Sequence, residues 1–205
     1  MSQIDLFSQP SKSIEKVEYR LKDGHLVYYP SFFSLSKVNY ELLKEIINWR
    51  QDSITIYGRT HLIPRLQAWY SDKFDYSYSG VKLERNNFNE PLKVLLNEIS
   101  KVSNYKFNGC LCNLYRNGSD YASWHSDDED SLGRNPEIAS VSFGEMRKFS
   151  LKHRFDKSLE KVEIELKDGS LLLMTGATQH HWKHQLCKTA KIVEPRINLT
   201  FRGIR

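Results

Sequence analysis

The residue types best suited to chemistry lie in two places: the tripeptide His125-Ser126-Asp127 and a histidine cluster at His180, His181 and His184. Two imidazoles and one carboxylate on one face of an iron ion leave three coordination positions open. That is room for a bidentate oxo-acid and then for dioxygen. Side chains alternate with period two along an extended segment, so His125 and Asp127 project to the same side of a strand end. The third ligand can come from any later strand. Taken alone, the tripeptide also reads as a surface His-Asp pair, because Ser119-Asp120 and Asp127-Asp128-Glu129-Asp130 make its neighbourhood polar.

The segment after the histidine cluster narrows the choice. Residues 196–202 alternate strictly, with Arg196, Asn198, Thr200 and Arg202 on one face and Ile197, Leu199 and Phe201 on the other. One reading is an edge strand with a wet face. The functional reading is a barrel strand whose inner face carries two guanidiniums to hold two carboxylates, a task that the planar fork of arginine suits. Asn113 and Tyr115 share a face two residues apart, 12 and 10 residues before His125, and could complete the hydrogen bonds of the same ligand.

These groups need elements to position them. Residues 36–50 carry a helical apolar spacing (Val38, Leu42, Leu43, Ile46, Ile47), with Ser34 or Ser36 available as cap. A second helix is predicted from Pro91, with Leu92, Leu95, Leu96, Ile99 and Val102 on its apolar face. From Phe107 onward the pattern becomes short strands, near 108–116, 138–143, 147–153, 161–166, 170–174 and 195–202. Asn117-Gly118, Gly133, Gly144 and Asp168-Gly169 divide them. Helices first and strands afterwards predict an α+β, mostly β chain: a sandwich or barrel core with flanking N-terminal helices. Residues 1–24 read as a polar tail and 25–205 as one domain, with lid elements at about 50–80 and the core at about 107–205.

With 205 residues, 40% of them hydrophobic and 12% aromatic, the chain can bury one core without disulfide or structural-metal help. The formal charge of +5 suits a nucleic-acid partner. Cys110, Cys112 and Cys187 form no CxxC pair, which predicts a reduced cytoplasmic setting. No apolar run approaches the roughly 20 residues of a membrane helix, and the N-terminus lacks a signal-peptide pattern, so no membrane partner is expected.

Together the motifs resemble the AlkB family, nearest to its DNA-repair branch. They are Asn113-Leu114-Tyr115-Arg116-Asn117-Gly118, His125-x-Asp127-Asp128-Glu129, Ile138-Ala139-Ser140-Val141-Ser142-Phe143-Gly144, His181-Trp182-Lys183-His184 and Arg196-x-Asn198-x-Thr200-x-Arg202. The likeness spans about residues 50–205. It implies a double-stranded β-helix, or jelly-roll, and an iron(II) site of His125, Asp127 and His184. His184 is taken over its neighbours because its 12-residue distance to Arg196 matches the family. It also implies 2-oxoglutarate contacts from Asn113, Tyr115, Arg196 and Arg202, with Asn198 and Thr200 as secondary members. One arginine would meet the distal carboxylate and the other the carboxylate that chelates iron.

The resemblance extends to a nucleotide-recognition lid at Pro64-Arg65-Leu66-Gln67-Ala68-Trp69-Tyr70 and Tyr76-Ser77-Tyr78-Ser79-Gly80. There Arg65 is a substrate contact and Tyr76 and Tyr78 form an aromatic wall beside a flipped, cationic base such as N1-methyladenine or N3-methylcytosine. Glu129 would bond the exocyclic amine. Tyr57, in Ile56-Tyr57-Gly58, resembles a finger that enters the stack when the base leaves. Gln3-Ile4-Asp5-Leu6-Phe7 resembles a sliding-clamp-binding peptide. The implied activity is repair of alkylated DNA bases as a monomer, using iron(II), 2-oxoglutarate and dioxygen and releasing aldehyde, succinate and carbon dioxide. The rivals are another 2-oxoglutarate-dependent hydroxylase, an RNA demethylase included, and a non-catalytic nucleic-acid-binding module.

Overall fold

Sixteen strands, three short α-helices and one 3-10 turn (Asp130–Leu132) form among the residues described by the computed structural model, 15–33 and 36–205. The first stretch runs β1 (Val17–Leu21), β2 (Gly24–Tyr29), α1 (Tyr40–Ile46), β3 (Ser53–Ile56), β4 (Arg59–Leu62) and β5 (Leu66–Tyr70). Then come β6 (Tyr76–Tyr78), β7 (Val81–Leu83), β8 (Arg85–Asn86), α2 (Glu90–Ile99), β9 (Gly109–Tyr115) and β10 (Ala122–His125). The chain finishes with β11 (Ile138–Gly144), β12 (Arg147–His153), β13 (Val162–Leu166), β14 (Ser170–Thr175), α3 (Thr178–His181), β15 (Trp182–Leu186) and β16 (Arg196–Arg202).

The strands make an eight-stranded sheet, ordered β1-β2-β14-β11-β16-β9-β5-β8, and a four-stranded sheet, ordered β10-β15-β12-β13. Hairpins β3-β4 and β6-β7 stand apart from both. The large sheet is buried on both faces, which the alternation of β16 requires. Ile197, Leu199 and Phe201 join one core with Leu43 of α1 and Leu92, Leu95 and Ile99 of α2. A second core joins the opposite face, through Leu26, Trp69, Leu111 and Leu172, to Phe149, Leu151, Ile164 and Leu166 of the small sheet. The inner polar residues of β16 therefore point into the space between two sheets, as the jelly-roll expectation requires.

The helices form where capping chemistry allows. Asn89 caps α2 by accepting from the Leu92 N–H, and Pro91 occupies its first turn. Helix α1 corrects its expected bounds. Asn39 is its cap, accepting from the Leu42 N–H, while the Ser36 hydroxyl accepts from Val38 two residues on. Ser34 lies outside the described residues. The helix stops at Ile46 because Ile47 is extended, and Arg50 exchanges both backbone bonds with Gln67 of β5.

Strand β1 pairs with β2 over Val17–Leu21, within the stretch read as a polar tail, and its exposed Glu18 and Arg20 give an edge strand the look of one. One further expectation is corrected, since helices do not precede strands: β1 to β8 all come before α2. They run two to six residues each, too short for alternation to register.

Candidate metal and co-substrate site

His125 ends β10 and pairs in register with His184 of β15, across a bulge that follows Ala122. This pairing brings the imidazole centroids to 4.3 Å. Asp127 lies two residues beyond the strand, and its backbone N–H donates to the side-chain oxygen of fully buried Gln179, at 3.0 Å. Ser126 donates to the Trp182 carbonyl at 3.0 Å. The three candidate ligands converge: His125 Nε2 lies 3.8 Å from Asp127 Oδ1, and His184 Nε2 lies 3.9 Å from Oδ2. Those gaps are too long for hydrogen bonds and leave room for a cation between the donors.

The ionisation states suit a metal. His125 Nδ1 lies 2.7 Å from the Ser123 carbonyl, so it carries the proton and leaves the Nε2 lone pair toward Asp127. Burial, with His125 alongside, lowers the His184 pKa to about 3, so that ring is neutral. Its Nδ1 is buried without a partner, and Phe149 packs at 5.2 Å. Burial alone would raise the Asp127 pKa, but Arg202 and the two histidines outweigh it and hold the carboxyl below its ordinary range.

A cleft opens over this triad and is lined by Arg65, Asn113, Tyr115, Arg196, Asn198, Thr200 and Arg202. The two arginines differ. Arg202 Nη2 donates to Asp127 Oδ1 at 2.8 Å, and Nη1 donates to the Tyr76 hydroxyl. Arg196 donates to Ser142 Oγ at 2.9 Å and stands over the Tyr115 ring at 5.5 Å. Its Nε is buried and unpartnered, and among the described residues no carboxylate lies within ion-pair distance. Burial, reinforced by Arg147, lowers its pKa to about 10, so it stays cationic at neutral pH. A buried cation without an anion is costly, and a carboxylate ligand would compensate it. Asn198 is occupied internally: it donates to Ser140 Oγ and to the Val141 carbonyl and accepts from Thr200.

The sequence expected Arg65 and Tyr76 among the substrate contacts; the structure sets both deeper. Arg65 Nε donates to Asn113 Oδ1 at 2.8 Å, and Nη1 to the Tyr121 carbonyl at 3.0 Å. Tyr76 is 3% exposed and stacks on Trp69 with centroids 4.5 Å apart. That stack needs Gly109, where a Cβ would fall 2.2 Å from the indole. The Tyr76 hydroxyl donates to Glu129 Oε1 at 2.8 Å, and Glu129 Oε2 is buried without a partner. Tyr78 is the more open ring, 6.0 Å from Tyr76. Tyr57 is fully exposed at the β3-β4 turn, with φ of 48°.

Two residues not expected at the site, Gln67 and Gln179, are both fully buried and both bonded to site residues. A glutamine inside an otherwise apolar strand was the available signal for the first. His180 and His181 are drawn away from the triad. His180 Nε2 accepts from the Asn135 N–H, and His181 joins Asp23 and His153 in a second cluster. In that cluster His153 Nδ1 accepts from the Asp156 N–H at 2.9 Å. Its Nε2 therefore carries the proton, faces Asp23 Oδ2 at 3.5 Å, and has no lone pair to give a metal.

Residues 25–202 match the family model described as the 2OG-Fe(II) oxygenase superfamily. The human protein described as alpha-ketoglutarate-dependent dioxygenase alkB homolog 3 is 41% identical over 186 residues, 86% of this chain and 65% of that protein. The chain thus spans just under two thirds of that relative. The Arabidopsis thaliana protein described as DNA oxidative demethylase ALKBH2 is 34% identical over 233 residues, 98% of this chain and 74% of that one. A solved structure of OsALKBH1 superposes with a TM-score of 0.61 at 15% identity, covering 91% of this chain and 100% of that one, a likeness of fold.

Proposed function

Belonging as it does to the 2OG-Fe(II) oxygenase superfamily, in the AlkB family, the chain is one that we propose removes alkyl groups oxidatively from nucleic-acid bases. The observation that carries this reading is one cleft holding both a His125-Asp127-His184 donor set and an Arg196 guanidinium with no carboxylate of its own. The donors fit iron(II) in type and number, and Arg196 fits the distal carboxylate of 2-oxoglutarate. Iron(II) held by His125, Asp127 and His184 would, with 2-oxoglutarate and dioxygen, supply the oxidation that turns the alkyl carbon into a hydroxyalkyl group, with succinate and carbon dioxide as co-products. An N-hydroxymethyl base then loses formaldehyde and recovers its N–H or lone pair.

The protein's own groups set up that exchange. Asn113, with Tyr115 beside it, lines the co-substrate end of the cleft. Arg202 holds Asp127 ionised and oriented. The low dielectric between the sheets strengthens each of these contacts. Glu129, with Oε1 engaged by Tyr76 and Oε2 unpartnered, offers an acceptor for the exocyclic amine of N1-methyladenine or N3-methylcytosine. Tyr78 offers an aromatic face to the cationic ring. Exposed Tyr57 would fill the gap that a flipped base leaves in a duplex.

DNA is the proposed substrate. The test is 2-oxoglutarate turnover and aldehyde release with methylated DNA, methylated RNA and unmethylated controls. Aldehyde that depends on methylated DNA supports the reading; equal or greater yield from RNA alone would move the substrate to RNA. Gln3–Phe7 lies outside the described residues, and we propose it as a clamp-binding peptide. Capture by purified clamp should vanish when residues 1–9 are deleted. We propose that the active unit is a monomer, which sedimentation checks.

A further inference from the structure

We propose that Gln67 is a positioning residue that fixes the Asn113 amide with its NH2 toward the co-substrate and ties that amide to the lid tyrosine Tyr78. The inference rests on the reading of the cleft as a 2-oxoglutarate site. Gln67 is fully buried in β5, and its backbone register places it directly opposite Asn113 of β9, which is itself opposite Asn198 of β16. Its Nε2 donates to Asn113 Oδ1 at 2.9 Å, and its Oε1 accepts from the Tyr78 hydroxyl.

Amide orientations are ambiguous in isolation, but here one group settles the chain of bonds. Arg65 Nε can only donate, and it lies 2.8 Å from Asn113 Oδ1, so the atom it meets must be oxygen. The Gln67 atom facing that same oxygen must then be a donor, Nε2. Its remaining atom is an acceptor, and the Tyr78 hydroxyl must donate to it. Burial raises the Tyr78 pKa, which keeps the phenol protonated for that purpose.

Arg65 and Gln67 together fill both lone-pair directions of the Asn113 oxygen. Only the NH2 remains to face the cleft. An incoming carboxylate needs donors, and a flipped amide would meet it with an oxygen. Gln67 thus reaches the co-substrate through Asn113 without touching it, and the β6-β7 hairpin is pinned to the same network through Tyr78.

The test uses calorimetric titration of 2-oxoglutarate into the Mn(II)-loaded protein without oligonucleotide, alongside thermal melting of each variant. Gln67→Leu removes one donor but leaves Arg65 to hold the oxygen. Gln67→Glu places a carboxylate against that oxygen and favours the flipped amide. The expected order of affinity is wild type, then Leu, then Glu, with the losses roughly tenfold and a hundredfold. A packing role alone predicts the reverse, since Glu matches Gln in shape. Glu binding as tightly as wild type, or more tightly than Leu, would overturn the inference. If neither variant folds, Tyr78→Phe frees the Gln67 amide to turn and should weaken binding roughly threefold; unchanged binding there would overturn it equally. Wild type that fails to bind 2-oxoglutarate would overturn the reading of the cleft, a result distinct from either variant outcome.

Discussion

Replacing Arg196 with Met should move stability and co-substrate affinity in opposite directions. In the free protein this guanidinium is 2% exposed, with one hydrogen bond to Ser142, an aromatic ring nearby and no anion. Its pKa, lowered to about 10 chiefly by burial, lies well below the ordinary arginine value, a shift worth about 3 kcal/mol against the charged form. That penalty is full at neutral pH, below both values, and is relieved only as pH rises through about 10 toward the unfolded-state value. Met keeps much of the volume and removes the charge. Cavity and repacking costs of about 1–2 kcal/mol oppose the relief, leaving the variant as stable as wild type or up to about 2 kcal/mol more so. In a domain of this size that is a rise in Tm of up to about 4–8 °C. Affinity for 2-oxoglutarate, in contrast, should fall by about 2–4 kcal/mol, or roughly 30- to 1000-fold, because its distal carboxylate loses a charged, hydrogen-bonded partner. Thermal melts with and without 2-oxoglutarate, in the presence of Mn(II), read both quantities. A variant destabilised by several kcal/mol that still binds 2-oxoglutarate like wild type would rule out Arg196 as the unpaired cation that holds the co-substrate.

Arg202→Met leaves Asp127 buried without its main counter-charge, and urea unfolding should show a loss of about 3–5 kcal/mol. Glu129→Gln should lower kcat/KM on N1-methyladenine and N3-methylcytosine by about tenfold or more, and less on lesions without an exocyclic amine, as a lesion panel will read. Tyr57→Ala should depress activity on duplex more than on single-stranded DNA; equal losses in a paired assay would remove the wedge role. In Asp120, burial raises the carboxyl pKa, but bonds from the Arg116 side chain and backbone N–H outweigh this and lower it overall. Its stabilisation is present above the unfolded-state value and is lost as pH falls through the folded one. Asp120→Asn should accordingly reduce the acid-dependent part of stability in denaturant titrations below pH 4.

The two-arginine strand was legible because β16 lies in a sheet buried on both faces, so its polar residues had to serve either a ligand or a wet surface. His125-x-Asp127 was legible as a donor pair for the same period-two reason. The choice of His184 was not available from spacing, since His180 and His181 are equally polar neighbours. It came from the family resemblance, and in the structure His184 lies across from His125 in the β10-β15 pair. Gln67 stood out as an amide inside an apolar strand, but its role was illegible because its partner lies 46 positions away and is brought opposite only by β5-β9 pairing. The burial of Tyr76 was hidden likewise: its stack on Trp69 exists only because Gly109, on a different strand, has no side chain. The eight early strands were missed because they run only two to six residues, too short to display the periodicity of longer strands.

The decisive measurement is aldehyde release from a methylated oligonucleotide, under air and under argon, with wild type and His184→Ala. Wild type should give aldehyde and succinate in equal amounts under air and none under argon, and the variant should lose at least a hundredfold. Aldehyde that persists under argon, or full turnover by His184→Ala, would contradict oxidative removal of the alkyl group at this site.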